Sequence, residues 1–220
     1  MELEERVGLV CAFYGRPHYL CATLHTLQRS NLPKTLDLYL INDGSTDDFA
    51  IQIFNQVPAN IIPSGNVIKI IHETKIDIWN CLKEGFDYFY DNGYDIMTNL
   101  DADAILKKEW FEAVYKLHKR FPDTVVTGFN TLANHPVIEK HKDYNVKMSC
   151  GGMNMVFSRN IYPKIIQPTF INKWGWDWSV CSNIIQNNLR IYTTPTSVIQ
   201  HIGRDSAYGH HGGDIALDFL

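Results

Sequence analysis

Residues 7–17 read VGLVCAFYGRP, and this stretch decides the fold. The first eight of these residues form a continuous apolar run of the length of a buried strand, which Gly15 and Arg16 then interrupt. Pro17 follows, and proline is favoured in the first turn of a helix. The stretch therefore predicts a strand, a turn and a helix. The helix is continued at helical spacing by Leu20, Leu24 and Leu27.

The same alternation continues through the first half of the chain. Strands are predicted over residues 36–41, 67–71 and 95–100, a helix capped by Asp47 runs through Phe54, and another carries Trp79, Leu82, Phe86 and Phe89 on one face. Strands that alternate with helices are typical of crossover units. We therefore expect an α/β fold with a mainly parallel sheet flanked by helices, which binds its ligand at the carboxyl ends of the strands.

The second half of the chain is less regular. Residues 125–130 and 153–157 are predicted as strands and residues 177–188 as a helix. Trp110, Val114 and Leu117 stand at helical spacing, which favours burial against the sheet. With no repeat and no linker in sight, we expect residues 1–220 to form one domain.

Composition excludes several classes of protein. The chain has 220 residues, 45% of them hydrophobic, which is enough for a core and unlike a disordered chain. The formal net charge is −4, so no general electrostatic attraction to nucleic acid is expected. The longest apolar stretches are far below the ~20 residues that span a bilayer, and no transmembrane segment is predicted.

The acidic N-terminal residues predict no export signal, because such signals begin basic and continue apolar. The cysteines are odd in number, scattered and without a C-x-x-C pair, so buried, reduced thiols are expected. We predict a cytoplasmic location on this ground. A Golgi-type catalytic domain cut from its anchor is the alternative.

The strongest local signal is the D-x-D triplet formed by Asp101, Ala102 and Asp103 directly after a predicted strand. Two carboxylates so placed can converge on a hard divalent cation such as Mg²⁺ or Mn²⁺. A turn whose aspartate caps the next helix explains the same residues. A second signal is the string NDGSTD, residues 42–47. There Asp43 can accept hydrogen bonds from a base or a ribose, and an ordinary Asx turn is the alternative.

These two strings, in this order, resemble the GT-A fold glycosyltransferases, particularly family 2-like enzymes. Their D-D-G-S-x-D string is nearly reproduced by residues 42–47, and their D-x-D by residues 101–103. The turn after their first strand is matched imperfectly by residues 12–16. Asn42 stands where the family commonly has its first aspartate, and Gly15 where it has asparagine. The resemblance covers about residues 6–204.

The resemblance implies a nucleotide-binding half over residues 6–103, an acceptor half over 104–204 and a C-terminal tail over 205–220. Asp43 is implied to bind the uracil or ribose of a UDP-sugar. Metal ligands on the diphosphate are implied to be Asp103, helped by Asp101. The remaining donor contacts are placed at Ala12, Tyr14 and Arg16 in the turn after the first strand.

The segment from Cys150 to Arg159, followed by WGWDW at residues 174–178, looks like the galactosyltransferase and polypeptide N-acetylgalactosaminyltransferase modules. By that likeness Asp177 faces the acceptor hydroxyl as general base. Three tryptophans surround it and can stack on sugar rings. They are Trp174, Trp176 and Trp178. The alternative is a tryptophan-rich corner of the core in which Asp177 caps a helix.

His201 follows a predicted strand at a position where several GT-A enzymes have a further metal ligand. An ordinary hydrogen-bonded histidine is equally compatible with the sequence. The tail from Arg204 onward is rich in glycine and histidine. It is expected either to order over the diphosphate, with Arg204 on a phosphate, or to be a frayed terminus.

The sequence thus predicts a metal-dependent glycosyltransferase that moves a sugar from a UDP-sugar to a hydroxyl of a glycan, protein or lipid, with inversion. Two alternatives stay open. A nucleotidyltransferase needs a glycine-rich basic loop after the first strand, where this chain offers only Gly15-Arg16-Pro17. The other alternative is a sugar-binding module without turnover.

Overall fold

A computed structural model describes residues 1–63, 65–131, 135–171, 175–204 and 214–219. The first half contains β1 (Val7–Phe13), α1 (Pro17–Gln28), β2 (Leu36–Asn42), α2 (Asp48–Gln56), β3 (Val67–Ile71), α3 (Ile78–Asp91) and β4 (Ile96–Asn99). The strands lie in the order β3-β2-β1-β4 and are all parallel. The predicted crossover units are therefore confirmed, and the four carboxyl ends meet at one rim of the sheet.

The second half contains β5 (Ala104–Leu106), α4 (Trp110–Arg120), β6 (Val126–Thr127), β7 (Val137–Lys140), β8 (Asn145–Lys147), β9 (Val156–Ser158), α5 (Trp176–Gln186), β10 (Ile191–Thr193) and β11 (Ile199–His201). Within the described residues the main sheet has the order β3-β2-β1-β4-β9-β6-β10-β8-β7. β9 runs antiparallel between β4 and β6, and β8 is antiparallel to both β10 and β7. The sheet is parallel in its first half and mixed in its second.

Helices cover both faces of the sheet, as predicted. α1, α2 and α4 pack on one face, and α3 and α5 on the other. The predicted buried faces of α1, α3 and α4 are confirmed, except that Trp79 is only partly buried. Asp47 caps α2, since its carboxylate accepts a hydrogen bond from the backbone N–H of Ala50 at 2.6 Å.

The three elements predicted in the second half of the chain have different bounds. The strand predicted over residues 125–130 is only Val126–Thr127, and the one predicted over 153–157 is Val156–Ser158. The physical reason is that Met153 and Asn154 bond neighbouring loops: the Met153 carbonyl accepts from Asp101 N–H, and the Asn154 side chain accepts from Gly128 N–H. The helix predicted over 177–188 is Trp176–Gln186. The hairpin of β7 and β8 was not predicted.

A separate two-stranded sheet pairs β11 with β5 in antiparallel register, with His201 opposite Ala104. This register places His201 next to the residue that follows Asp103. All five cysteines are free thiols, as predicted, although Cys21 is exposed and the others are buried. Among the described residues, no helix combines the length and the apolar character that crossing a membrane requires.

Candidate active site

The ends of β1, β2 and β4, together with β11, bring the predicted donor-side residues to one rim of the sheet. The turn after β1 touches the turn after β2, because the backbone N–H of Gly15 donates to the hydroxyl of Ser45 at 2.9 Å. Arg16 follows in left-handed conformation, with φ of 47°, and its guanidinium reaches the D-x-D segment. Strings far apart in sequence are therefore neighbours at this rim.

Asp103 is the best-connected carboxylate of the rim. Its Oδ2 lies 3.3 Å from Nη1 of Arg16 and 3.3 Å from Nε2 of His201. Burial alone would raise the pKa of Asp103, but the hydrogen bond and charge of His201 and the charge of Arg16 outweigh it, so the pKa is lowered. Burial would lower the pKa of His201, yet Asp103 raises it overall. Asp103 is therefore ionised and paired.

The backbone around Asp103 is held from two sides. The N–H of Ala104 donates to the hydroxyl of Thr23 on α1 at 2.9 Å, and the N–H of Ile202 donates to the carbonyl of Asp103 at 2.9 Å. Gly203 packs against the carboxylate itself: a Cβ on Gly203 would lie 2.2 Å from Asp103 Oδ2. Only glycine fits there with the present geometry, which fixes the carboxylate beside His201.

Asp101 is partly exposed and lies in the same corner with a different electrostatic balance. Burial and the charge of Asp103 raise its pKa, and the charge of Asp177 raises it further. Asp177 is thus close enough to Asp101 for their charges to interact. Burial and the charges of Asp101 and Asp103 also raise the pKa of the Cys11 thiol on β1. The rim therefore brings several acidic groups close enough to disfavour the ionisation of one another.

The donor set of this corner suits a divalent cation: two carboxylates and an imidazole are ligands that Mn²⁺ accepts, and a cation would relieve the repulsion between Asp101 and Asp103. Within the described ranges, however, no three of the histidine, cysteine, aspartate and glutamate side chains are already arranged around one point as ligands. Asp103 Oδ2 is instead paired with Arg16 and His201. The residues fit the cation chemically, but these two pairs would have to open.

Asp43 is buried, with 3% of its surface exposed, and both its carboxylate oxygens accept backbone hydrogen bonds. The donors are Ile76 N–H at 2.7 Å and Asp77 N–H at 3.0 Å, in the loop between β3 and α3. Asp43 therefore fixes this loop, a contact that the sequence did not reveal. Its predicted role on uracil or ribose stays a prediction. Asn42 forms the Asx turn considered above, with its Oδ1 accepting from Ser45 N–H at 2.9 Å.

The other residues predicted around the donor differ in exposure. Tyr14 is partly exposed, and Lys75 Nζ lies 4.9 Å above the centre of its ring. Ala12 is 6% exposed and packs in the core on the α3 side of the sheet, so its side chain is not available to a donor. Arg204 is exposed, and its N–H donates to the hydroxyl of Tyr19. Residues 205–213 of the predicted tail lie outside the described residues.

Asp177 stands in the first turn of α5, which begins after Gly175 in left-handed conformation. Its Oδ2 accepts from Gly152 N–H at 3.1 Å and its Oδ1 from Trp178 N–H at 2.9 Å. Burial raises the pKa of Asp177, and these hydrogen bonds partly oppose the rise. A carboxylate with a raised pKa, held in a fixed orientation, is a suitable proton acceptor.

The three tryptophans around Asp177 do not form one surface. Trp176 is 6% exposed and stacks on Phe170 in the core. It therefore cannot stack on a sugar and is not part of the proposed acceptor site. This part of the segment is the core corner that the sequence left open. Trp178 is half-exposed, with its ring 4.7 Å from that of His135. The predicted contact at Trp174 lies outside the described residues.

Several residues of the site were not found by sequence reasoning. Asn99 and Asn154 are fully buried and bind backbone groups around the D-x-D segment, and His135 holds one side of Trp178. A polar residue at the end of an apolar strand, as at Asn99, was the available signal.

The chain belongs to a known family of glycosyltransferases. A family model described as "Glycosyl transferase family 2" matches residues 9–186, which include Asp43, Asp101, Asp103 and Asp177. Membership makes the chain a glycosyltransferase and implies a nucleotide-sugar donor and an acceptor. A search of the curated proteins gives no match. The finer likeness to galactosyltransferases stays a prediction.

Proposed function

We propose that the chain transfers a sugar from a UDP-sugar to an acceptor hydroxyl, with Asp177 as the general base. The observation that carries this proposal is the gathering of Asp177 and the D-x-D carboxylates at one rim, close enough for the charge of Asp177 to raise the pKa of Asp101. An acceptor hydroxyl is a weak nucleophile, and a carboxylate within hydrogen-bond reach removes its proton as the new bond forms. A base on the face opposite the leaving group gives inversion.

Asp101 and Asp103, with His201, would hold Mn²⁺ or Mg²⁺. A bound cation would neutralise charge on the diphosphate leaving group. Arg16 would bind a phosphate of the donor. The contact of its guanidinium with the carboxylate of Asp103 supports this role, because the same planar donor group pairs with phosphate. Trp178 offers its exposed indole surface to an acceptor sugar.

The proposal is tested by measuring UDP release from UDP-glucose, UDP-galactose and their N-acetylated forms, with Mn²⁺ and with EDTA. We expect release with at least one donor, its loss in EDTA and its return with Mn²⁺. For Asp177→Asn we expect UDP binding close to wild type and turnover lower by about 10²–10⁴-fold. Asp123→Asn is the matched control, because Asp123 is exposed and lies on the loop after α4.

Three outcomes would contradict parts of the proposal. Activity that is unchanged in EDTA would contradict the proposed metal dependence. Retained anomeric configuration in the product would contradict the proposed inversion. Binding of UDP without release from any donor would support a module without turnover. An equal loss of UDP binding and turnover in Asp177→Asn would indicate misfolding instead of a missing base.

A further inference from the structure

Asn99 lies two residues before Asp101, at the end of β4, and none of its surface is exposed. Its Nδ2 donates to the carbonyl of Gly152 at 2.5 Å, and its Oδ1 accepts from the N–H of Met155 at 3.0 Å. The side chain therefore bridges the two ends of the loop between Gly152 and Met155, because it bonds one carbonyl and one N–H of that loop as a backbone peptide would. Both hydrogen-bonding ends of the amide are satisfied, which fixes its orientation.

The peptide of Gly152 carries the connection onward. Its carbonyl accepts from Asn99, and its N–H donates to Oδ2 of Asp177 at 3.1 Å. There is little room for a side chain at Gly152, because a Cβ at this position would lie 3.0 Å from the ring of Trp176. One continuous chain of contacts thus runs from the strand end that carries the D-x-D segment to the candidate base.

A second hydrogen bond joins the D-x-D segment to the same loop. Asp101 N–H donates to the carbonyl of Met153 at 3.0 Å, so the loop held by Asn99 also holds Asp101. A change in the Asn99 contacts would therefore change the separation between Asp101 and Asp177. Transfer between a bound donor and an acceptor is sensitive to such separations, and about 1 Å of misplacement can cost about 10²-fold in rate.

Resting on the proposed function, we propose that Asn99 is a positioning residue that fixes the acceptor-side base Asp177 relative to the donor-side carboxylates through the peptide of Gly152. Asn99 touches neither substrate in this role. It acts only by holding Gly152, and the role is separate from that of Asn154. The Asn154 amide donates to Thr98 Oγ1 at 3.1 Å and to the Asn99 carbonyl at 2.8 Å.

Asn145 on β8 provides a matched control, because it is also buried, its amide donates to backbone carbonyls, those of Thr194 and Pro195, and it makes none of the bonds around Gly152. Asn99→Leu and Asn145→Leu each keep the approximate side-chain volume and remove the amide. We expect both variants to unfold at lower temperature than the wild type. Only Asn99→Leu is expected to lower kcat, by about 10- to 100-fold. Its KM for the donor and its Kd for UDP should stay within about threefold of wild type, because the donor contacts are intact.

A second readout does not depend on activity. The amide of Gly152 is hydrogen-bonded to the carboxylate of Asp177, so its proton resonance and its hydrogen exchange report this bond directly. Asn99→Leu is expected to raise its exchange rate at least about tenfold and to move its resonance, whereas Asn145→Leu should leave both near wild type. Should Asn99→Leu fail to fold, Gly152→Ala perturbs the same link from its other end, with the same expected loss of kcat and retained UDP binding.

Retained kcat in Asn99→Leu or in Gly152→Ala overturns the inference, as does an equal loss of kcat in Asn145→Leu. An unchanged Gly152 amide in Asn99→Leu overturns it as well. Failure of the proposed function is recognised differently. In that case the wild type releases no UDP, or Asp177→Asn matches the wild type, while the Gly152 amide still reports whether Asn99 holds the loop.

Discussion

Replacing Gly203 by alanine tests the geometry of the D-x-D corner most directly. The new Cβ would lie 2.2 Å from Asp103 Oδ2 and 2.9 Å from His201 Nε2. Non-bonded carbon and oxygen atoms need about 3.4 Å, so the carboxylate or the Gly203 backbone has to move by about 1 Å. The hydrogen bond between Asp103 and His201 is 3.3 Å long and would not survive such a shift.

Two measurements follow from this displacement. Asp103 raises the pKa of His201, so NMR titration of the imidazole in Gly203→Ala should give a lower pKa than in the wild type. Calorimetry with UDP and Mn²⁺ should show weaker binding by at least about tenfold, since a ligand misplaced by about 1 Å loses most of its contribution. The overall fold should persist, because the atoms that the new Cβ would meet belong to Asp103 and His201, which lie outside both core clusters.

Gly151→Ala is the control, because a Cβ on Gly151 would meet His135 Nε2 at 3.5 Å, which is an ordinary contact. It should leave both the His201 pKa and UDP binding near wild type. The reasoning is refuted if Gly203→Ala folds normally and shows the wild-type imidazole pKa. It is refuted equally if Gly151→Ala perturbs the imidazole as strongly.

Three further predictions concern stability and acceptor binding. Burial lowers the pKa of His118 to about 4, so between about pH 4 and 6.5 the unfolded chain binds a proton at this residue more readily than the folded chain. The stability that His118 contributes is therefore complete above about pH 6.5 and lost as the pH falls toward 4. His118→Leu should remove up to about 3 kcal/mol of this pH dependence of the unfolding free energy in denaturant titrations. Burial likewise lowers the pKa of Lys147 to about 8, so the unfolding free energy of the wild type should rise by up to about 3 kcal/mol between pH 8 and 10.5. Unfolding curves of Lys147→Met should lack this rise. Trp178→Ala should raise the KM for a sugar acceptor about five- to tenfold and leave the donor KM unchanged, and an unchanged acceptor KM contradicts the predicted stacking.

The parallel half of the fold was predictable because apolar runs and helical spacing determine it locally. Val7–Phe13 is buried along its whole length, so its continuous apolar run is a sufficient signal. The second half was not predictable to the same degree. β6 has two residues and β9 has three, and their places in the sheet depend on contacts between distant segments. Strands this short leave no periodic pattern.

The candidate site was predictable where its polar residues are adjacent in sequence. It was not predictable where a side chain hydrogen-bonds to the backbone of a distant residue. The D-x-D pair and NDGSTD were visible because their polar residues follow apolar strands. Asn99 acts through its hydrogen bond to Gly152, which is 53 residues away, and Gly203 acts through its packing against Asp103. No local spacing in the sequence indicates either contact. Trp176 shows the opposite error, since tryptophan spacing alone cannot separate a sugar platform from a core residue.

The charges at the rim connect the fold to the proposed chemistry. Asp101, Asp103 and Asp177 lie close enough for their charges to interact, and Arg16 and His201 oppose them through contacts with Asp103 Oδ2 and through their charges on Asp101. A diphosphate is itself an anion, so ionised carboxylates at this rim would repel it unless positive charge offset them. A divalent cation on the two aspartates supplies that charge and competes with Arg16 for Asp103. Arg16 is then available to a phosphate, for which its planar guanidinium is well suited. The ion pair between Arg16 and Asp103 is therefore best understood as holding both groups in place until a donor binds.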